Sequence, residues 1–244
     1  LAKLADLYDV PLHTHLSETQ WEEDVIRDRY GCTSTEMLLH AGALSPRLSV
    51  AHGVHLTDGD VQHLVEHKVG LVYNPSSNMK LASGIARIPD YQAAGLTVGI
   101  GTDSNLSNNN LDMFEEMRLG ALLQKLGRAD ATALPVQSAL DMATRLGARV
   151  LGLEDIIGSL EVGKQADIIL IDLDQPHLWP LIEGQYENIE EQIVYAANAG
   201  DVSHTIVFGE VIMADRQVLT LDIEEAFQAV QTASTHFMKK AGLM

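Results

Sequence analysis

The sequence predicts an α/β protein built on a parallel sheet, with a smaller β-rich region toward its C-terminal end. Three observations carry this reading. Over the first two thirds of the chain, short apolar runs alternate with helix-like runs, the pattern of βα units. The apolar runs are rich in Val, Ile or Leu and are bounded by Gly, Pro, Asp or Ser, as buried strands are. Near Gly158 the alternation stops, and strand-like runs follow without regular helices between them.

Taken in order, the expected strands of the first part are Val10–Leu16, Leu48–Leu56, Val69–Asn74 and Thr97–Thr102. Glu18–Tyr30, Ser34–Ala41 and Asp58–His67 read as helices between them, and Leu81–Tyr91 reads as a loop with a short helix. A longer helix is expected over Leu111–Leu126, with the asparagines of Ser107-Asn108-Asn109-Asn110 capping its free amides. Another is expected over Leu134–Leu151, with Pro135 in its first turn and Gly152 after its end. Beyond the turn-rich Gly158–Lys164, strands are expected over Ala166–Asp172, Val202–Phe208 and Val211–Leu219, with Gly209-Glu210 turning between the last two. Ile223, Ala226, Phe227, Val230, Ala233 and Phe237 form a closing helical stripe. The expected domains are 1–157 and 158–244.

Composition narrows the function classes. The chain has 244 residues, 46% of them hydrophobic, enough to bury a core. A formal charge of -18 repels phosphate backbones, so nucleic-acid binding is not expected. No segment reaches the length of apolar residues that a membrane span needs, and LAKLADLYDV does not read as a signal peptide. The single cysteine, Cys32, excludes an intrachain disulfide and fits a reducing, cytoplasmic compartment; it reads as a packing residue.

The informative feature is what stands at the strand ends, because a parallel α/β barrel builds its active site at the C-terminal ends of its strands. The four runs end in His13-Thr14-His15-Leu16-Ser17-Glu18, Ala51-His52-Gly53-Val54-His55, Asn74-Pro75-Ser76-Ser77-Asn78 and Gly101-Thr102-Asp103-Ser104. Neutral imidazole is a common zinc or iron ligand. His13 and His15 share a strand face, and the pair reads either as two ligands of one metal or as one ligand and one packed neighbour. Glu18, three residues past His15, suits proton shuttling between water and a leaving group. His52 reads as a polarising group or as core packing, and His55 as packing or support behind the site. Asp103 reads as a metal ligand and proton acceptor, or as the start of an Asx-turn.

The segments HTHLSET, AHGVHL, NPSSNMKLASG and GTDSNLSNNNLDMFEEMR, in that order, resemble strands five to eight of the amidohydrolase superfamily. The resemblance is closest to its methylthioadenosine/S-adenosylhomocysteine deaminase branch, which shades into triazine chlorohydrolases. ALDMATRLGARVLGL and IGSLEVGKQADIILIDL resemble the last barrel helices and the return into the small β domain. The resemblance implies the C-terminal half of a (β/α)8 barrel, plus part of a small β domain and a C-terminal helix. It implies a bound metal, Zn2+ in the first instance, with Fe2+ or another divalent metal as the alternative. His15 corresponds to the strand-five metal ligand, and Glu18 to the acid that binds the ring nitrogen and shuttles a proton. His52 corresponds to the strand-six histidine beside the activated water. Asp103 corresponds to the strand-eight ligand that takes the water's proton. Glu18 and Asp103 are thus also the expected substrate-binding residues, and His13 has no catalytic counterpart.

The reaction so implied is hydrolytic deamination of an adenine ring, with a nucleoside as partner and a homo-oligomer as assembly. Triazine dechlorination, deamination of another heterocycle, or a non-catalytic half-barrel binding module are the alternatives. The family also uses two histidines in an HxH pair on strand one, for which these residues offer no counterpart. The sequence is therefore expected to be part of a longer chain.

Overall fold

The computed structural model describes residues 1–244. Four strands form where the apolar runs lie: β1 (Leu12–Leu16), β2 (Leu48–His52), β3 (Gly70–Tyr73) and β4 (Val98–Ile100). They pair in parallel in the order β1-β2-β3-β4, so β1 and β4 are the edges. The strands are shorter than the runs that predict them. β2 stops at His52 rather than Leu56 because His52 and Gly53 take φ values of 76° and 58°, which no strand can continue.

Helices fill the connections: α1 (Ala2–Tyr8) precedes β1, and α2 (Gln20–Tyr30) and α3 (Ser34–His40) follow it. After β2 comes α4 (Asp58–Glu66), and after β3 come α5 (Pro75–Lys80) and α6 (Ile88–Ala93). β4 leads into α7 (Asn105–Asn108), α8 (Met113–Arg128), α9 (Val136–Ala143) and α10 (Arg145–Val150). Local chemistry sets the starts. Thr33 caps α3 and Thr57 caps α4, each in a reciprocal capping box with Glu36 or Asp60. Buried Asp60 also accepts the Thr33 hydroxyl at 2.5 Å, which ties the two helix starts together.

Two helix expectations need correction. Asp112, rather than the preceding asparagines, caps α8, accepting the amides of Phe114 and Glu115. The helix expected over Leu134–Leu151 is two helices, because Thr144 at φ -125° and ψ -100° breaks the spiral between α9 and α10. Pro135 caps α9 instead of lying in its first turn.

The sheet register defines two unlike faces. Thr14, Val50, Leu71 and Val98 form one row; His15, Ala51, Val72 and Gly99 form the next. The first face carries the core, with Leu48, Val50, Leu71, Tyr73 and Val98 buried among Leu64, Ile88, Tyr91 and Met142. The second face carries small residues toward its N-terminal end, and α10 packs there against β3 and β4. A Cβ on Gly70 would stand 2.9 Å from Val150 Cα, and one on Gly99 3.1 Å from Gly147 Cα. These glycines are therefore what lets α10 reach the sheet.

The chain divides into two compact units that do not break at 157/158. The first holds Leu1–Lys164 and Asp174–Ala199; the second holds Gln165–Leu173 and Gly200–Met244. The turn-rich Gly158–Lys164 stays with the first unit because Lys164 donates to the Glu154 carbonyl and the Ser159 hydroxyl. Residues 174–199 rejoin that unit through α11 (Ile189–Tyr195), which packs on α8 and α9. Nothing in the composition of that stretch announces the return.

The second unit is an antiparallel sheet of β5 (Ile168–Ile171), β6 (Val202–Val207), β7 (Glu210–Ala214) and β8 (Gln217–Val218), followed by α12 (Ile223–Lys240). The β6–β7 turn centres on Phe208-Gly209 rather than Gly209-Glu210, both residues having positive φ as a tight hairpin requires. A second such pair, Asp215-Arg216, splits the expected Val211–Leu219 strand into β7 and β8. No helix is long and apolar enough to cross a membrane.

Two substitutions test the packing. Gly70→Ala forces a methyl group into the backbone of α10 and should cost about 1–3 kcal/mol, read as a lower midpoint in denaturant. Gly59→Ala at an exposed position of α4, where the new methyl meets nothing nearer than Thr57 Oγ1 at 3.7 Å, should instead raise stability by about 0.4–1 kcal/mol.

Candidate active site

Because the four strands are parallel, their C-terminal ends share one edge of the sheet. The backbone leaves that edge through left-handed residues at three points: Ser17 (φ 50°), His52 (φ 76°) and Asp103 (φ 59°). Such φ values are uncommon outside glycine and mark strain that the surroundings must hold in place.

At the end of β1, the Glu22 carboxylate on the first turn of α2 accepts the amides of Ser17 and Glu18 at 3.0 and 2.9 Å. Glu23 accepts the Ser17 hydroxyl at 2.7 Å. A helix N-terminus favours carboxylates, so α2 can hold two acids there. This brace directs Glu18 toward the site, where its carboxylate also accepts the Ser83 hydroxyl at 3.3 Å.

Strict alternation puts His15 and His52 on opposite faces, because His15 pairs with Ala51 and Leu16 with His52. The left-handed backbone at His52 reverses that. The two rings stack with centroids 5.4 Å apart and 12° between planes. His52 is fully buried. Its Nδ1 lies 2.9 Å from Asn78 Oδ1; an amide oxygen only accepts, so Nδ1 carries the proton and Nε2 the lone pair. Nε2 has no hydrogen-bond partner and lies 3.8 Å from Glu18 Oε2. The amide of His52 donates to Asn74 Oδ1, while Asn74 Nδ2 donates to the Gly101 carbonyl, so one side chain ties the end of β2 to the end of β4.

At the end of β4, Asp103 Oδ2 accepts two hydroxyls, from Ser77 at 2.7 Å and Ser107 at 2.5 Å. Burial pushes the Asp103 carboxyl up, but these hydrogen bonds and the nearby amide of Ser104 outweigh it. The group is held below the usual carboxylate range. Both serine hydroxyls fall on Oδ2 and neither on Oδ1.

One ligand atom from each of His15, His52 and Asp103 lies within 4.8 Å of the others. Two imidazoles and an ionised carboxylate are the donor set of a zinc-like or iron-like ion, and the unpartnered Nε2 of buried His52 is a lone pair that such an ion satisfies. The residues present therefore fit a divalent metal.

Of the four expected site residues, His15, His52 and Asp103 form this cluster, and Glu18 stands beside it, 3.8 Å from His52 Nε2. The structure groups His52 with the two expected ligands as a third donor. His13, exposed on β1, hydrogen-bonds Ser49 Oγ at 2.8 Å, and His55 meets the Ser83 carbonyl at 2.8 Å. Sequence reasoning assigned no role to Asn74, Ser77, Asn78 or Ser107. The polar runs after the third and fourth strands were their signal, but no spacing rule says which hydroxyl turns toward an aspartate 26 residues away.

Residues 1–212 match the model of the amidohydrolase family. The chain is 50% identical to a 5-methylthioadenosine/S-adenosylhomocysteine deaminase from Desulforudis audaxviator, over 92% of this chain and 51% of that protein. It is 42% identical to a 5'-deoxyadenosine deaminase from Methanosarcina acetivorans, over 94% of this chain and 52% of that protein. Among solved structures, a zinc-bound adenosine deaminase from Xanthomonas campestris superimposes with a TM-score of 0.92 at 35% identity, covering 97% of this chain and 53% of that one. A zinc complex of atrazine chlorohydrolase from Arthrobacter aurescens gives 0.86 at 28% identity, covering 95% of this chain and 50% of that one. The chain spans about half the length of the curated relatives it matches. It belongs to the amidohydrolase family.

Proposed function

We propose that these residues form the C-terminal half of a metal-dependent deaminase barrel, its strands five to eight, acting on the adenine ring of methylthioadenosine, S-adenosylhomocysteine or a related nucleoside. The observation that carries this reading is the donor cluster of His15, His52 and Asp103 with the Glu18 carboxylate 3.8 Å from His52 Nε2. The adenosine-type deaminase names of relatives at 42–50% identity point to the substrate class.

His15 and Asp103 would hold the metal, with His52 as a third donor or as an acceptor beside it. A metal held there, zinc as in the crystallised neighbours or iron, would supply the acidity that lets a bound water react near neutral pH. Each remaining role falls to a side chain. Asp103, kept ionised by Ser77 and Ser107, accepts the water's proton. His52 offers Nε2 to the same water, its tautomer set by Asn78. The water oxygen adds to the ring carbon that bears the amino group. Glu18 gives a proton to the adjacent ring nitrogen, takes up the hydroxyl proton of the adduct as the ring carbonyl forms, and hands it to the departing amine, so that ammonia leaves; the proton held on Asp103 returns to Glu18 and restores both groups. Glu18 can serve these proton transfers because it stands at the site's edge, half-buried and held by Ser83.

Triazine dechlorination is the second reading, favoured by the superposition on atrazine chlorohydrolase. It uses the same water and the same acid, and differs in whether chloride or ammonia leaves. A substrate panel read by ammonia and chloride release separates the two.

In the protein as its gene encodes it, Glu18→Gln should lower ammonia release by about 10²–10⁴-fold, the scale of a lost general acid, while bound metal measured by elemental analysis stays at the wild-type level. Full turnover in that variant sinks the assigned role. Chelation should abolish turnover and added zinc restore it; ammonia release persisting in metal-free protein overturns the metal's role, whereas no metal uptake together with no turnover favours a non-catalytic binding module.

A further inference from the structure

Glu116 is a fully buried acid that the reaction above does not use. It sits on the first turn of α8, behind the site rather than in it. Its Oε2 accepts the backbone amide of Ser76 at 3.2 Å, and its Oε1 accepts Asn108 Nδ2 at 2.6 Å. Ser76 belongs to α5 and Asn108 to α7, two segments that no strand ladder joins. The residues next to these anchors are Ser77 and Ser107, the two whose hydroxyls meet on Asp103 Oδ2. One carboxylate therefore grips both arms of the hydroxyl pair from behind.

We infer that Glu116 is a positioning residue for the metal site: it sets Ser77 and Ser107 so that both donate to one oxygen of Asp103, leaving the other to the metal and the water. This rests on the proposed metal-dependent reading of the site. A carboxylate is the side chain this task requires. Both its oxygens only accept, so it can take an N–H from each of two segments at once. A glutamine offers a single acceptor oxygen and turns an NH2 group toward one of the two donors. An apolar residue strands the Ser76 amide and the Asn108 amide group in a buried place. Burial pushes the Glu116 carboxyl up, and the hydrogen bonds from Ser76 and Asn108 with the helix N-terminus offset only part of that cost.

A purely structural bolt between α5, α7 and α8 would give the same picture, so the test must read Asp103 rather than folding. The measurement is zinc affinity by chelator competition in the protein as its gene encodes it, with melting temperature and steady-state kinetics alongside. Glu116→Ala should weaken zinc binding by about 10–100-fold, the scale seen when the group supporting a ligand is lost. It should lower kcat by a similar factor with KM changed less than about twofold. Asn108→Ala, which removes one arm only, should give part of that loss, and Glu116→Gln should fall between wild type and Glu116→Ala. In a Ser77→Ala/Ser107→Ala background, Glu116→Ala should have no further effect on zinc affinity, because nothing is left for it to position.

Wild-type zinc affinity in both Glu116→Gln and Asn108→Ala overturns the inference. So does the same fold-loss from Glu116→Ala with and without the two serines, which would make the residue a structural bolt alone. Wild-type protein that takes up zinc but releases no ammonia from adenine nucleosides removes the deaminase reading. The affinity cycle still decides the role of Glu116 in that case.

Discussion

The site depends on how the backbone leaves a parallel sheet. At the C-terminal edge each strand loses its ladder partners while its end is still buried, and each freed amide or carbonyl needs a replacement. Side chains supply them. Glu22 takes the amides of Ser17 and Glu18, Asn74 takes the amide of His52 and gives to the carbonyl of Gly101, and Glu116 takes the amide of Ser76. These same bonds fix the left-handed turns at Ser17 and His52, and through them the directions of Glu18 and the two imidazoles. The functional groups are aimed by the solution to a backbone problem.

Much of this was legible in the residues. Polar residues at the ends of apolar runs marked His15, Glu18, His52 and Asp103, because strand ends are where a parallel sheet can afford them. The capping boxes at Thr33 and Thr57 follow from short-range rules that need no tertiary structure. What was not legible depends on distance or on dihedral angles. His52 and His15 differ by an odd number of positions across the paired strands, so alternation separates them and only the backbone at His52 brings them together. Ser77 precedes β4 in the chain and Ser107 follows it, yet both meet on Asp103, a convergence that sequence spacing does not encode. The break at Thr144 stands inside a run whose apolar periodicity continues on both sides of it. The domain boundary was missed because residues 174–199 return to the first unit without a compositional sign.

The acidic composition acquires a second meaning. A charge of -18 reads first as solubility, and for most of the carboxylates that holds. Glu23, Asp60 and Glu116 are each at most 2% exposed, and each accepts donors from a segment other than its own helix. All three lie in the first turn of a helix, where the dipole lowers the cost of burial. The fold uses helix starts as mounting points for acids that hold loops, and the loops hold the site.

His52 shows how closely fold and function are joined here. Its φ of 76° ends β2 and is unfavourable for a residue with a side chain. The buried nitrogen it carries to the centre of the site has no partner within the chain, and an unsatisfied buried polar group costs about 1–3 kcal/mol. Two unfavourable terms fall on one residue, next to an exposed imidazole and an aspartate whose second oxygen is already engaged. Packing does not call for this arrangement, since an apolar residue in an extended conformation would serve the core better at no such cost. An occupant that accepts the lone pair removes the second term outright. Its binding free energy is then also stability of the strand end. The strained turn, the orphaned nitrogen and the braced aspartate are therefore one device, in which the chain holds ligand groups in place at the expense of its own stability and recovers part of it when the site is filled.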